Sequence, residues 1–205
     1  MDVAINLVES YLRLNGYLTL SELEVQRRSK SGLYETLTDV DMVAIRFPGD
    51  LFATDAHTDE DCRMLLIDDP ALRLEPETID VIIGEVKQGE AVFNPHLTRH
   101  EVLHTVLRRI QWVYAGTLDP VIDDLAASGV SRVPARSGGT IRTRLVAFGR
   151  ATAVDLNTIS LTHMVEQMVS FMAEFDDVLR PAQFKEPVPA FLRLLSKSGF
   201  TVSKA

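Results

Sequence analysis

The run Ile79-Asp80-Val81-Ile82-Ile83-Gly84-Glu85-Val86-Lys87 constrains this chain more than any other stretch. It is apolar on both parities, Val81 and Ile83 on one and Ile82 and Val86 on the other. That is the pattern of a strand covered on both faces, so it demands a sheet with a layer on each side. The run closes on an acid and a base two positions apart. Residues i and i+2 of a strand share a face, so Glu85 and Lys87 are expected side by side, with Val86 turned into a core. Charge at the end of such a strand is costly unless it has a partner or a task.

A second strand-like run lies upstream, Thr38-Asp39-Val40-Asp41-Met42-Val43-Ala44-Ile45-Arg46-Phe47, also with acids at its start and halted by Pro48-Gly49. The spacing predicts helices over 2–15, 98–115, 119–128, 160–179 and 188–198, and strands over 17–25, 37–47, 79–87, 130–133 and 140–148. Gly16, Gly129 and Gly199 supply stops, and Thr98 with Glu101 matches a capping box. Residues 26–32 read as a polar, basic loop, and Met64-Leu65-Leu66-Ile67 as a strand or a turn of helix. The expected class is α/β: a mixed central sheet flanked by helices over residues 1–150, interrupted by an acidic insertion at about 50–77, then a C-terminal helical extension over 151–205 packed on that core.

Charge is distributed unevenly. The formal net charge is -8, which argues against a nucleic-acid partner when taken as a sum. Yet nine acids face only Arg63 and Arg73 between Asp50 and Glu77, whereas Arg132, Arg136, Arg142, Arg144 and Arg150 occur between Ser131 and Val154 without an acid. Arg142 and Arg144 on one strand face, and Arg27, Arg28 and Lys30 in a loop, are candidate phosphate contacts, with solvated charge as the plain alternative. Cys62 is the single cysteine, which fits a reducing cytoplasm. The N-terminus lacks a basic, apolar leader pattern, and no apolar run approaches the roughly 18 residues of a membrane span.

Phosphodiester hydrolysis needs an activated water and cover for charge on the leaving oxygen, and a divalent metal supplies both. Asp41 and Glu85 suit Mg²⁺ or Mn²⁺ if their strands are neighbours, with the carbonyl of Val86 as a third oxygen and Lys87 to orient the water. Asp39 shares Asp41's strand face and is an alternative ligand. Glu/Asp-x-Lys alone is a weak signal, but only Lys87 among the five lysines lies two after an acid.

Asp41 followed by Glu85-Val86-Lys87 resembles the PD-(D/E)XK nuclease superfamily, and the segment Glu9 to Tyr17 is similar to the opening of that fold in Holliday-junction resolvases. The likeness, which also extends to an uncharacterised bacterial group of the superfamily, covers about Val3 to Tyr114. It implies a restriction-endonuclease-like fold, a DNA substrate, and Glu9 joining Asp41 and Glu85 at the metal. Two departures stand: no Pro precedes Asp41, and the separation from Glu85 is long. Gln111 and Tyr114 miss by one the Gln-x-x-x-Tyr spacing of some branches.

The alternatives are a structural ion-pair cluster at Asp41, Glu85 and Lys87 in an inactive module that binds nucleic acid or protein, and a solvated ion pair between Glu9 and Arg13. His100 and His104 sit at helical i,i+4 spacing that zinc can use, but without a further ligand cluster nearby. Met164, Met168 and Met172 form a stripe that reads as core packing or a homodimer seam.

Overall fold

The three-dimensional structure is a computed structural model that describes residues 2–49, 66–152, 154–179 and 184–202. Helix α1 (Val3–Leu14) opens the chain. Asp2 caps it by accepting the Ala4 N–H at 2.7 Å, and it buries Leu7, Val8, Tyr11 and Leu12. Gly16, in the left-handed region at φ 82°, ends it and turns the chain into the sheet.

The sheet begins with a long antiparallel hairpin of β1 (Leu18–Arg28) and β2 (Tyr34–Arg46). Both strands run further than their apolar patterns, because ladder pairing continues through polar residues up to Arg28 opposite Tyr34. The expected loop at 26–32 therefore contracts to 29–33. β3 (Thr78–Glu90) pairs antiparallel with β2, and β5 (Thr140–Arg150) lies parallel on its other side. The far edge of β5 is divided between β4 (Val130–Pro134), antiparallel along its first half, and β6 (Thr158–Ser160), parallel along its second. The strand order is β1-β2-β3-β5-β4, with β6 beside β5. The architecture is a mixed α/β sheet flanked by helices.

On one face, α1, α4 (Leu161–Glu174) and α6 (Pro187–Lys197) cover Met42, Ile82 and Phe148. On the other, α2 (His100–Leu107) and α3 (Asp119–Ser128) cover Val43, Ile83 and Leu145. β3 is buried from Thr78 to Val86, as its two-sided apolar pattern requires. Gly84 is needed within it: a Cβ there would come 2.8 Å from the Phe148 ring and 3.1 Å from Met42 Cβ.

Several expectations are corrected. The helix expected at Thr98 begins at His100, because the Thr98 hydroxyl donates to the Pro95 carbonyl in a preceding turn and no side chain caps α2. It ends at Leu107 and tightens into a 3₁₀ segment, Arg108–Val113, broken by non-helical Ile110. The C-terminal part is not purely helical, since β6 joins the sheet. Its first helix stops at Glu174, and a short α5 (Asp176–Leu179) follows. Met164, Met168 and Met172 are buried inside this one chain, in the core shared with α1, so the stripe leaves no dimer seam. Met64 and Leu65 lie outside the described residues, whereas Ile67 is buried and donates its N–H to the Leu14 carbonyl at 2.7 Å. Among the described residues no helix is long and apolar enough to cross a membrane.

Candidate active site

The β2–β3 register sets Met42 opposite Gly84, so the next step along the two strands brings Asp41 to Glu85. Two stretches 44 positions apart in the chain thus meet on the face that carries α2 and α3. Asp41 Oδ2 accepts the Val86 N–H at 2.8 Å. Val86 thereby contributes its N–H to the carboxylate, while its side chain turns into the opposite core. Lys87 projects beside Glu85 and contacts Glu85 Oε1. The Glu85 side chain is 3% exposed, and its second oxygen, Oε2, is buried with no hydrogen-bond partner among the described residues.

The electrostatics follow from that geometry. Burial pushes the Asp41 carboxyl above the ordinary range; the Val86 N–H and Lys87 pull it back, and nearby Asp2 and Asp39 add to the rise. Burial likewise raises Glu85, against Lys87 and with Asp41. Lys87 is raised by its hydrogen bond to Glu85, with burial opposing, so it carries its charge. Two carboxylates short of compensation stand beside one ammonium.

These groups form one wall of an open cleft of about 310 Å³. Asp39 lies along the same wall and is exposed. The facing wall comes from the segment after β3 and was not anticipated as part of the site: Asn94 and His96. Asn94 Oδ1 accepts the His96 N–H at 3.0 Å, and its amide donates to Thr38 Oγ1 at 3.1 Å. The His96 ring bonds through Nδ1 to the Leu37 carbonyl at 3.3 Å, which leaves Nε2 without that proton in the neutral ring. These contacts fasten the segment to the start of β2. The legible signal was Asn94-Pro95, a turn former, directly after the charged strand.

Glu9 is not brought to this cluster. It accepts from Arg13, one turn further along α1, at 2.7 Å and from Thr19 Oγ1 on β1 at 3.0 Å. Here the expected third carboxylate is engaged in a local ion pair with Arg13. Among the described residues no three of His, Cys, Asp or Glu converge as a metal-ligand group, which also applies to His100 and His104. The two-carboxylate pair nonetheless fits a hard divalent cation. Mg²⁺ is commonly held by one or two carboxylates with water filling the rest, and the orphaned Oε2 is a free oxygen donor of the right kind.

A second charged cluster sits on the opposite face of the same strand. Asp80 Oδ1 accepts from Arg142 Nε at 2.6 Å, and Oδ2 from Arg144 at 2.9 Å and from Tyr17. Arg142 and Arg144 are 1% and 0% exposed, so they are not phosphate contacts. Their shared face was read correctly but points inward, where the remaining donors meet the carbonyls of Leu72, Arg73 and Leu156. Burial works against an ionised Asp80, but Arg144 and Arg142 outweigh it and its carboxyl lies below the ordinary range. Arg27 and Arg28 are exposed on β1 with Lys30 in the turn after it, and Arg27 pairs with Glu35 at 2.6 Å.

Compared with protein-family models, with curated proteins and with solved structures, the chain matches none.

Proposed function

We propose that this chain is a metal-dependent nuclease that hydrolyses DNA phosphodiesters at the Asp41–Glu85–Lys87 cleft, on a restriction-endonuclease-like version of the mixed sheet. The observation that carries the reading is the meeting of Asp41 with Glu85 beside Lys87, with Glu85 Oε2 buried and unsatisfied. Asp41 and Glu85 would hold Mg²⁺ or Mn²⁺, and Asp39 lies on the same wall. When bound, the ion would supply a nucleophilic water at neutral pH and cover for charge on the phosphate.

The chain's own residues divide the remaining work. Lys87, 42% exposed and charged, reaches from the buried carboxylates towards the cleft, where it orients the attacking water and offsets phosphate charge. The Val86 N–H fixes the direction of Asp41. The wall of Asn94 and His96 limits how a phosphate enters.

The test is incubation with plasmid, linear, single-stranded and branched DNA in Mg²⁺ or Mn²⁺. Cleavage by wild type and its loss in Lys87→Ala supports the reading; equal rates, or no cleavage by either, ends it. The contact between Lys87 and Glu85 favours a second reading, a closed structural pair in a non-catalytic module. Calorimetry with Mn²⁺ separates the two, because a working site binds the ion and Asp41→Asn abolishes the binding.

A further inference from the structure

The only tryptophan of the chain, Trp112, is 62% exposed at the tip of the 3₁₀ segment that follows α2. Its ring offers an exposed π face with a polar N–H at its edge. It lines an open pocket of about 490 Å³ together with Gln111, His104, Arg136 and Asp119. Residues 91–118 carry Arg99, Arg108 and Arg109, three of the five histidines and a single acid, Glu101, in a chain of net charge -8. The three arginines are exposed. Glu101 faces Arg27 at 3.6 Å, and Asp119 is 3.7 Å from His100. With Arg142 and Arg144 buried, the cations an anion can reach here are Arg99, Arg108, Arg109 and Arg136, set beside the exposed Asp119, Asp123 and Asp124 of α3.

The surface is continuous with the cleft. His96, on the cleft wall, is 3.5 Å from the Arg99 guanidinium. Arg99 precedes α2, whose His100 and His104 stack with ring centres 6.3 Å apart and planes 13° from parallel. His104 is also part of the Trp112 pocket. The eight residues of α2 span about 12 Å, the reach of a few nucleotides.

The geometry points to a single-stranded nucleic acid track: the strand leaves the cleft past His96 and Arg99, follows the exposed face of α2, and stacks one unpaired base on Trp112, with Arg136 and Gln111 at its edge. Stacking needs an exposed π face, which a paired duplex presents only at its ends. The inference deepens the nuclease reading, and rests on it for the direction in which the strand runs.

Because Trp112 is the sole tryptophan, its fluorescence reports this pocket alone. The full chain in EDTA, which prevents metal-dependent cleavage, is titrated with a ten-nucleotide oligo-dT, the matching oligo-rU, and a blunt ten-base-pair duplex. Quenching by oligo-dT or oligo-rU, with the duplex weaker, supports the track, and the stronger of the two arms identifies the sugar it takes. Anisotropy of a labelled oligonucleotide then measures the variants: Trp112→Ala is expected to weaken binding about tenfold and Trp112→Phe far less, from the worth of one base stack. The exposure of Trp112 makes misfolding an unsuitable explanation of that loss, and retained cooperative unfolding of both variants checks it. Absent quenching, equal quenching by duplex, or wild-type affinity in Trp112→Ala overturns the inference. Cleavage in Mg²⁺ or Mn²⁺ without quenching would sink the track and leave the nuclease reading standing. Quenching and a Trp112→Ala defect without cleavage would retain the base site and remove the nuclease.

Discussion

Asp80 and Glu85 lie five residues apart on β3, both almost fully buried, and their surroundings treat charge in opposite ways. Asp80 meets two guanidiniums and a tyrosine hydroxyl, and every donor of those arginines that turns inward finds a carbonyl or carboxylate. Glu85 meets one ammonium, a neighbouring carboxylate and, at Oε2, nothing. The first arrangement lowers a carboxyl's proton affinity and the second raises it. A fully compensated buried charge holds structure together; an under-compensated one at the edge of a cleft is the better candidate for a ligand site. The lesson is that burial alone does not tell these two acids apart, whereas the count of satisfied oxygens does.

The comparison breaks most visibly at Asp80. Asp80→Asn leaves Arg142 and Arg144 buried around a neutral amide, and unfolding in urea should show a loss of about 3–5 kcal/mol, the cost of breaking a buried pair. A loss under 1 kcal/mol would mean that the network is dispensable. Next, Lys87→Ala should lower cleavage by about 100-fold or more in the Mg²⁺ assay, the scale of losing a positioned proton-handling group, and should also lower the thermal midpoint, because Glu85 and Asp41 lose their cation. Asp41→Asn should do the reverse to stability: it retains an acceptor for the Val86 N–H and removes one uncompensated charge. A rise of about 2–4 °C at neutral pH, the shift that roughly 1 kcal/mol gives a domain of this size, is expected by calorimetry, together with loss of Mn²⁺ binding.

The pH dependence sharpens the contrast. Asp41 and Glu85 bind protons more tightly folded than unfolded, so they subtract stability above their raised values and cease to do so below about pH 4. The gain from Asp41→Asn should therefore vanish as pH falls through that window. Asp80 is the opposite case: its contribution is present above the ordinary carboxylate value and is lost as pH falls through its lowered folded value. Stability curves of Asp41→Asn and wild type that stay parallel from pH 7 to 3 would contradict the first half of this account. The smallest effect is expected at Glu9, where Glu9→Gln should change stability by a few tenths of a kcal/mol and cleavage by less than about twofold. A large activity loss there would restore it to the metal site.

What could be read in advance follows from how local each signal is. The pairing of Glu85 with Lys87 and the inward turn of Val86 depend only on the two-residue period of a strand. The meeting of Asp41 with Glu85 needed in addition that two acid-ended strands be neighbours. Arg142 and Arg144 show where such reasoning stops: the period puts them on one face, but whether that face is wet depends on Tyr17, the 72–75 segment and Leu156, which come from distant stretches. The interruption of an apolar run by Asp80 was the visible hint of a buried cation partner. Asn94 and His96 escaped notice because side-chain bonds to Thr38 and Leu37, more than fifty residues earlier, bring their segment to the cleft. Thr98 misled for a simpler reason, since its hydroxyl had a nearer carbonyl to bind.

The grip on residues 67–75 has a consequence for how this chain tolerates change. Asp69 holds Tyr11 at 2.6 Å and His163 at 2.7 Å, while the Leu72 and Arg73 carbonyls are held by the arginines of β5. The return towards β3 is thus moored from three directions before the strand begins. The strand that carries both charged centres is, in effect, berthed before it starts, so a change at Tyr11, His163 or Arg142, each remote in sequence, would loosen its entry.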